Sequence, residues 1–254
     1  MFKNNLTIGM ESHNIDLNTF RTWSSAMEAM AKSVKASQTK EIILEMALKL
    51  FKTHGYEQTT MRAISGAAGV ALGSAYYYFP SKEHLVIAFY EQLGGEQREL
   101  AIPIIDRSKS LKNCLIAVIR SNLSTVEPHH GFFASLFGRA ADPRSPLNPF
   151  AKESESIRSS SIEIFELMVK RCTDRIVDDL RAELPTLLWF YYMGMVLFWL
   201  HDRSFGRRRT NQLLESSADL IVKLASLSGL PLMSGWRKVA LNLIKQLRQD
   251  TFYD

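Results

Sequence analysis

Cysteine is scarce in this chain. Cys114 and Cys172 are the only two in 254 residues, and neither has a neighbour at metal-ligand spacing. That excludes a zinc module and leaves two reduced, buried thiols of a cytoplasmic protein as the expectation. Long hydrophobic runs are missing as well: the longest, Leu187 to Leu200, is 14 residues and includes Tyr191 and Tyr192. Such a length suits a buried helix, not a membrane span. Residues 1–15 are polar and lack the continuous apolar core of a secretory signal. Hydrolase signatures are absent too. No Gly-x-Ser-x-Gly elbow occurs, and His201-Asp202-Arg203-Ser204 crowds its members too closely for a triad. His129 and His130 are adjacent, so their rings diverge on a helix, and no other ligands accompany them. Neither a metal nor a cofactor is expected, and enzyme function is not expected. Internal repeats, low-complexity runs and long linkers are lacking.

What is present is ordinary in bulk. Hydrophobic residues make up 46% and charged residues 22%, enough for a large core in one or two domains. The net charge of +5 permits a polyanionic partner without demanding one.

One stretch, Thr59 to Leu85, organises the rest. Thr60 is placed to cap a short helix with Ile64 and Ala67 or Ala68 facing inward. Gly69 stops it, Val70 plugs the turn, and a second short helix from Ala71 carries Gly73, Ser74, Tyr76, Tyr77 and Tyr78. Phe79-Pro80 closes that helix, and Ser81 caps the next, with Lys82 and Glu83 in its first turn. Two short helices at a steep angle make a helix-turn-helix able to enter the DNA major groove. The charge excess is not concentrated here: residues 38–83 hold five Lys/Arg and four Asp/Glu. Phosphate binding would lean on hydroxyls, backbone N–H groups and helix ends as well as on Lys82.

This run resembles the DNA-binding domain of the tetracycline-repressor-like (TetR) transcriptional regulators. The residues that carry the resemblance are Ile43, Ala47, Phe51, Gly55-Tyr56, Thr59-Thr60, Ile64, Ala68-Gly69-Val70, Gly73, Tyr76, Phe79, Ser81-Lys82-Glu83 and Leu85. Ala63 and Ala71 depart from the usual pattern, at positions where an acid and a Ser or Thr commonly cap. The resemblance implies an all-α protein with an N-terminal helix-turn-helix domain and a C-terminal helical domain that binds an effector and dimerises. The boundaries it suggests are an extension at 1–37, the DNA-binding domain at 38–84 and the effector and dimerisation domain at 85–254. It implies a homodimeric repressor on a palindromic, double-stranded operator; an activator or a ligand-independent regulator of the same fold is the alternative. Residues expected at DNA are Thr60, Arg62, Ala71, Leu72, Gly73, Ser74, Tyr77, Tyr78 and Lys82, with Tyr76 packed inward.

Around this reader the chain is helical. Leu17, Phe20, Trp23, Met27, Met30 and Val34 make an amphipathic extension. It either packs on the DNA-binding domain or a partner subunit, or hangs loosely, with Lys32 and Lys35 near the DNA. Residues 38–54 form the first helix of the domain, and a fourth helix through Leu85, Phe89 and Leu93 links reader and body, loosened at Gly94-Gly95. Helices are expected at 108–126, at 129–140, from after the three-proline loop at 142–149 to about Arg171, from Pro185 to His201, at 208–228 and from Trp236 to about Phe252. Arg207-Arg208-Arg209 reads as a solvated loop or helix start.

By analogy with the family, the helices at 185–201 and 208–228 form the dimer interface, with Leu213, Leu214, Ile221 and Leu224 in it. The second domain is rich in aromatic and sulfur-containing residues. A small hydrophobic or aromatic effector is therefore expected at Phe89, Asn122, His129, Phe133, Phe137, Phe165, Met168, Trp189, Tyr192 and Met193. A phenylalanine cluster of this kind also reads as plain core. Two other classes remain as rivals: a helical enzyme, and a peripheral membrane protein using the helix at 17–35.

Overall fold

The computed structural model describes residues 17–227 and three isolated positions beyond them; apart from two of those positions, the expected last helix lies outside the described residues. Among the described residues every regular element is helical. Helix α1, Leu17–His54, runs without a break through the boundary expected at 37. Nothing between Ser33 and Thr39 is a glycine or proline, so the extension and the first helix of the reader fuse. Only the second half of α1 enters a core: Ile43, Ala47 and Phe51 are buried, while Trp23, Met27, Met30 and Val34 are exposed. Gly55 ends the helix at φ +83°, a left-handed conformation that glycine adopts without strain.

Helices α2 (Met61–Ala67) and α3 (Leu72–Tyr78) complete a small head around Ile43, Phe51, Tyr56, Ile64, Ala75 and Phe79. Helix α4, Lys82–Arg107, is continuous through Gly94-Gly95 and through Pro103. Tertiary packing overrides the glycine cost there, because Leu93, Gln97, Ala101 and Ile105 are all buried on one side. It carries the chain out of the head and into the body, so the boundary expected at 84 also falls within a helix.

The body consists of α5 (Leu111–Val126), α6 (His130–Ala141), α7 (Glu155–Arg171), α8 (Asp178–His201) and α9 (Arg208–Leu227). Helix α4 packs on α5 and α7, α7 on α8, and α9 on α5 and α8. At the end far from the head, the Leu111 N–H donates to the Asp174 carboxylate at 2.7 Å and the Thr173 N–H to the Lys109 carbonyl at 2.9 Å. Helix α8 starts seven residues before Pro185, which lies inside it rather than in its first turn. It is long and apolar enough to cross a membrane, yet Leu184, Leu188, Trp189, Met195 and Trp199 are buried in the core.

Asp202 fixes the turn between α8 and α9. Its carboxylate accepts from the Ser204 N–H at 2.8 Å, the Thr210 N–H at 2.9 Å and the Thr210 hydroxyl at 2.7 Å. Burial opposes its ionisation, but these donors overcome that and hold the carboxyl well below the usual range. Helix α9 is two-faced. Leu214 and Ala218 are fully buried within the subunit, while Leu213, Leu220 and Leu224 are exposed. Leu214 was expected at a dimer surface and instead closes the subunit's own core; Ile221 is half-buried against that core.

Candidate nucleic-acid interface and cavity

The reading head presents a short helix held by its turn. The Thr60 hydroxyl accepts from the Ala63 N–H at 3.1 Å, capping α2. Gly69 turns at φ +67°, and the Val70 N–H donates to the Ser65 carbonyl at 3.0 Å, which sets α3 across α2. Ala71 stands at the N-cap of α3 and contributes no side-chain bond; its carbonyl accepts from the Ser74 and Ala75 N–H groups at 3.0 and 3.1 Å. Ser81 is at the N-cap of α4, but its hydroxyl pairs with the His84 ring at 3.0 Å rather than with a backbone N–H.

Exposure sorts the residues of α3. Ala75 is buried, and Tyr76 and Tyr77 are 47% and 82% exposed. Tyr76 was expected inside; Ala75, Tyr78 and Phe79, spaced three and four apart, take the inward face instead and turn Tyr76 away. Tyr78 is half-buried with its ring edge-on to Tyr77 at 5.2 Å. Thr60, Arg62, Ala71 and Gly73 are exposed, and Leu72 and Ser74 half-buried, on the same head. Gly73 has an ordinary helical backbone, and a Cβ built there meets nothing within 4 Å. No internal packing requires glycine at this position.

Lys82 behaves differently from expectation. Its ammonium donates to the Tyr56 carbonyl at 2.7 Å and the Glu57 carbonyl at 3.3 Å, and lies 4.4 Å from the Tyr56 ring centre. Burial pushes its pKa down. These acceptors are main-chain oxygens just after α1, which no side-chain pattern announces.

A charged cluster joins head and body. Arg139 of α6 donates its Nε to Glu57 Oε1 at 2.8 Å and its Nη2 to Glu57 Oε2 at 2.9 Å. A longer bond of 3.5 Å reaches Glu83, which also accepts from the Tyr56 hydroxyl at 2.9 Å. The hydrogen bond from Arg139 lowers the Glu57 pKa. Sequence reasoning missed Arg139, since its partners lie far away along the chain and carry no motif.

The body holds a cavity of about 470 Å³ between α4, α6, α7, α8 and the three-proline loop. Phe133, Phe137, Trp189, Tyr192 and Met193, all expected at an effector, are in its wall. So are Gln97, Arg158 and the loop residues Leu147, Pro149 and Phe150, which the sequence reading left out. Leu147 and Phe150 were the available signal, as large apolar residues within a run of turn formers. Phe89, Asn122, His129, Phe165 and Met168 lie outside the wall. Phe89 packs between His129 and Phe132, with ring centres 4.9 and 6.0 Å away. Phe165 and Met168 are buried in the core, and Asn122 offers its backbone oxygen to Gln97 Nε2 at 3.3 Å. Polar groups at the cavity are few. Burial pushes the Tyr192 phenol up to about 12, so it remains a neutral donor, and Arg158 is tied to the Pro149 carbonyl at 2.7 Å. Among the described residues no group of three His, Cys, Asp or Glu side chains could hold a metal ion.

A helix-turn-helix head on an all-helical body with an apolar cavity defines a two-part helical architecture of the kind found in bacterial regulators. Residues 43–89 match the family described as bacterial regulatory proteins, tetR family, and residues 115–239 match the tetracyclin repressor-like C-terminal domain. The two stretches together cover more than half of the chain, which belongs to the tetR family. It is 31% identical over 96 residues to the HTH-type transcriptional repressor KstR2 of Rhodococcus jostii, covering 36% of this chain and 45% of that protein. The chain thus spans about half the length of the curated relatives it matches. The Thermus thermophilus repressor FadR in complex with lauroyl-CoA is similar in fold, with a TM-score of 0.56 at 21% identity, over 72% of this chain and 93% of that one. FadR of Bacillus subtilis in complex with stearoyl-CoA gives a TM-score of 0.53 at 20% identity, over 72% and 97%.

Proposed function

We propose that the protein is a DNA-binding transcriptional repressor that acts as a homodimer and releases its operator when an apolar effector fills the cavity. The observation that carries the DNA reading is α3, where a helix with its first turn uncapped, an exposed glycine and two exposed tyrosines are displayed on a rigid small core. Gly73 lets the duplex approach the backbone, Tyr77 reaches phosphates, and Arg62, Ala71, Leu72 and Ser74 face groove edges. The exposed leucines of α9 with Leu197 and Phe198 of α8 supply an apolar face for a second subunit. Two-fold symmetry then pairs two readers on a near-palindromic site.

The cavity supports a fatty-acyl effector. Its wall is almost wholly apolar, its volume falls in the range of small-molecule sites, and the two FadR proteins of the same fold hold acyl-CoA. An effector acts only through a difference in affinity between the two states of the protein. Selection from a random duplex library tests the reading. An enriched sequence with two-fold symmetry, with half-sites about one helical turn apart, is expected. Failure to enrich any duplex removes the proposal.

A further inference from the structure

Helix α6 has two working faces. Phe133, Leu136, Phe137 and Ala140 are in the cavity wall. Phe132 and Arg139, seven residues apart and so nearly aligned on the helix, face the head instead. Phe132 stacks on Phe51 of α1 at 5.5 Å with ring planes 12° apart, and Arg139 clasps Glu57 and Glu83. A helix of twelve residues moves as one piece, so whatever displaces its cavity face displaces both links to the head.

The two links respond differently to such a displacement. Near-parallel rings already offset from one another tolerate a further lateral shift, since offset stacking is a favoured arrangement over a range of centre distances. A bidentate guanidinium–carboxylate pair is directional, and a small shift costs it one of its two bonds. Glu57 sits in the turn between α1 and α2, and Glu83 in the first turn of α4. Both acids flank Tyr56, whose ring lies 5.2 Å from the Arg139 guanidinium and whose hydroxyl bonds Glu83. One cation from the body thereby fixes three residues of the head at the point where α4 departs from it.

We infer that Arg139 is a positioning residue: through its pairing with Glu57 and Glu83, the contents of the cavity set the angle of the reading head. This rests on the proposed DNA-binding and effector roles, and it names the residue that connects them. Arg139 is not in the wall of the apolar cavity. Removing it leaves both sites intact and abolishes the communication between them.

The test compares the full-length chain with Arg139→Gln, Arg139→Lys, Glu57→Gln and the Arg139→Gln/Glu57→Gln double variant. A Trp23→Phe/Trp236→Phe background leaves Trp189 and Trp199, both in the cavity wall, as reporters. Two quantities are read: the change in acrylamide quenching of these tryptophans on adding the selected operator duplex, and the ratio of operator Kd with and without lauroyl-CoA. The first needs no effector, because linkage is reciprocal. The wild type shows an operator-induced quenching change and a Kd ratio of about five-fold or more. Arg139→Gln and Glu57→Gln each shrink the quenching change and bring the ratio below about two-fold, with melting temperature and lauroyl-CoA affinity unchanged; the double variant loses no more than either single one. Arg139→Lys, which keeps the charge but not the bidentate fork, falls between. A wild-type-sized quenching change in Arg139→Gln overturns the inference. So does a wild type that binds operator with neither response, since there is then no communication to carry. A chain that binds no duplex overturns the DNA-binding reading itself, and this inference with it.

Discussion

The Lys82 ammonium donates to the Tyr56 carbonyl at 2.7 Å, so a lysine at a position that suits phosphate binding is used to close the head on itself. It ties the first turn of α4 to the segment after α1. Lys82→Ala is therefore expected to lower stability by about 1 kcal/mol, a charged donor's bond discounted for partial exposure. The slope of log Kd for operator against log salt should stay unchanged. A slope reduced by about one unit would put the ammonium on a phosphate instead.

Gly73 offers a test in which stability and binding move in opposite directions. An added methyl meets nothing inside the protein, and alanine favours helix over glycine by up to about 1 kcal/mol. Gly73→Ala should raise the melting temperature slightly while weakening operator binding at least several-fold. Unchanged binding would mean that the duplex does not approach this part of α3.

Asp202 predicts a pH dependence. Its folded pKa is depressed by donors from Ser204 and Thr210, so its contribution is fully present above the unfolded aspartate value of about 4 and is lost as pH falls below it. Asp202→Ala should cost about 1 kcal/mol at neutral pH, the loss expected for a helix cap. The gap from wild type should narrow between about pH 4 and pH 2 in urea melts. A gap that stays constant across that window would assign the effect to packing.

Much of the head was legible because its rules are local. Thr60, Gly69 and the inward spacing of Ile64 act within one or two turns, and the structure follows them. The inward Tyr76 that the resemblance implied does not hold here, since the three adjacent tyrosines carry no period of their own and the buried Ala75 and Phe79 decide which way the helix rolls. The cavity wall was half legible. Aromatic richness pointed to Phe133, Trp189 and Tyr192, but richness cannot separate a wall from the core behind it, where Phe165 and Met168 lie. Arg139 was invisible for a different reason: its meaning is purely tertiary, and only the folded chain brings it to Glu57.

Subunit pairing is tested at Leu224, which is 53% exposed on α9. Leu224→Lys should yield monomers in sedimentation and a loss of tight operator binding, with helical content retained. A dimer of wild-type stability would move the interface away from α9.

Control of the reader by the cavity can be read in a single titration. A labelled duplex from the selection is titrated with the full chain by fluorescence anisotropy, with and without saturating lauroyl-CoA, whose binding is followed separately by calorimetry. Bound lauroyl-CoA is expected to raise the operator Kd by about five-fold or more. An operator Kd that stays the same while lauroyl-CoA is measurably bound in the cavity would contradict that control.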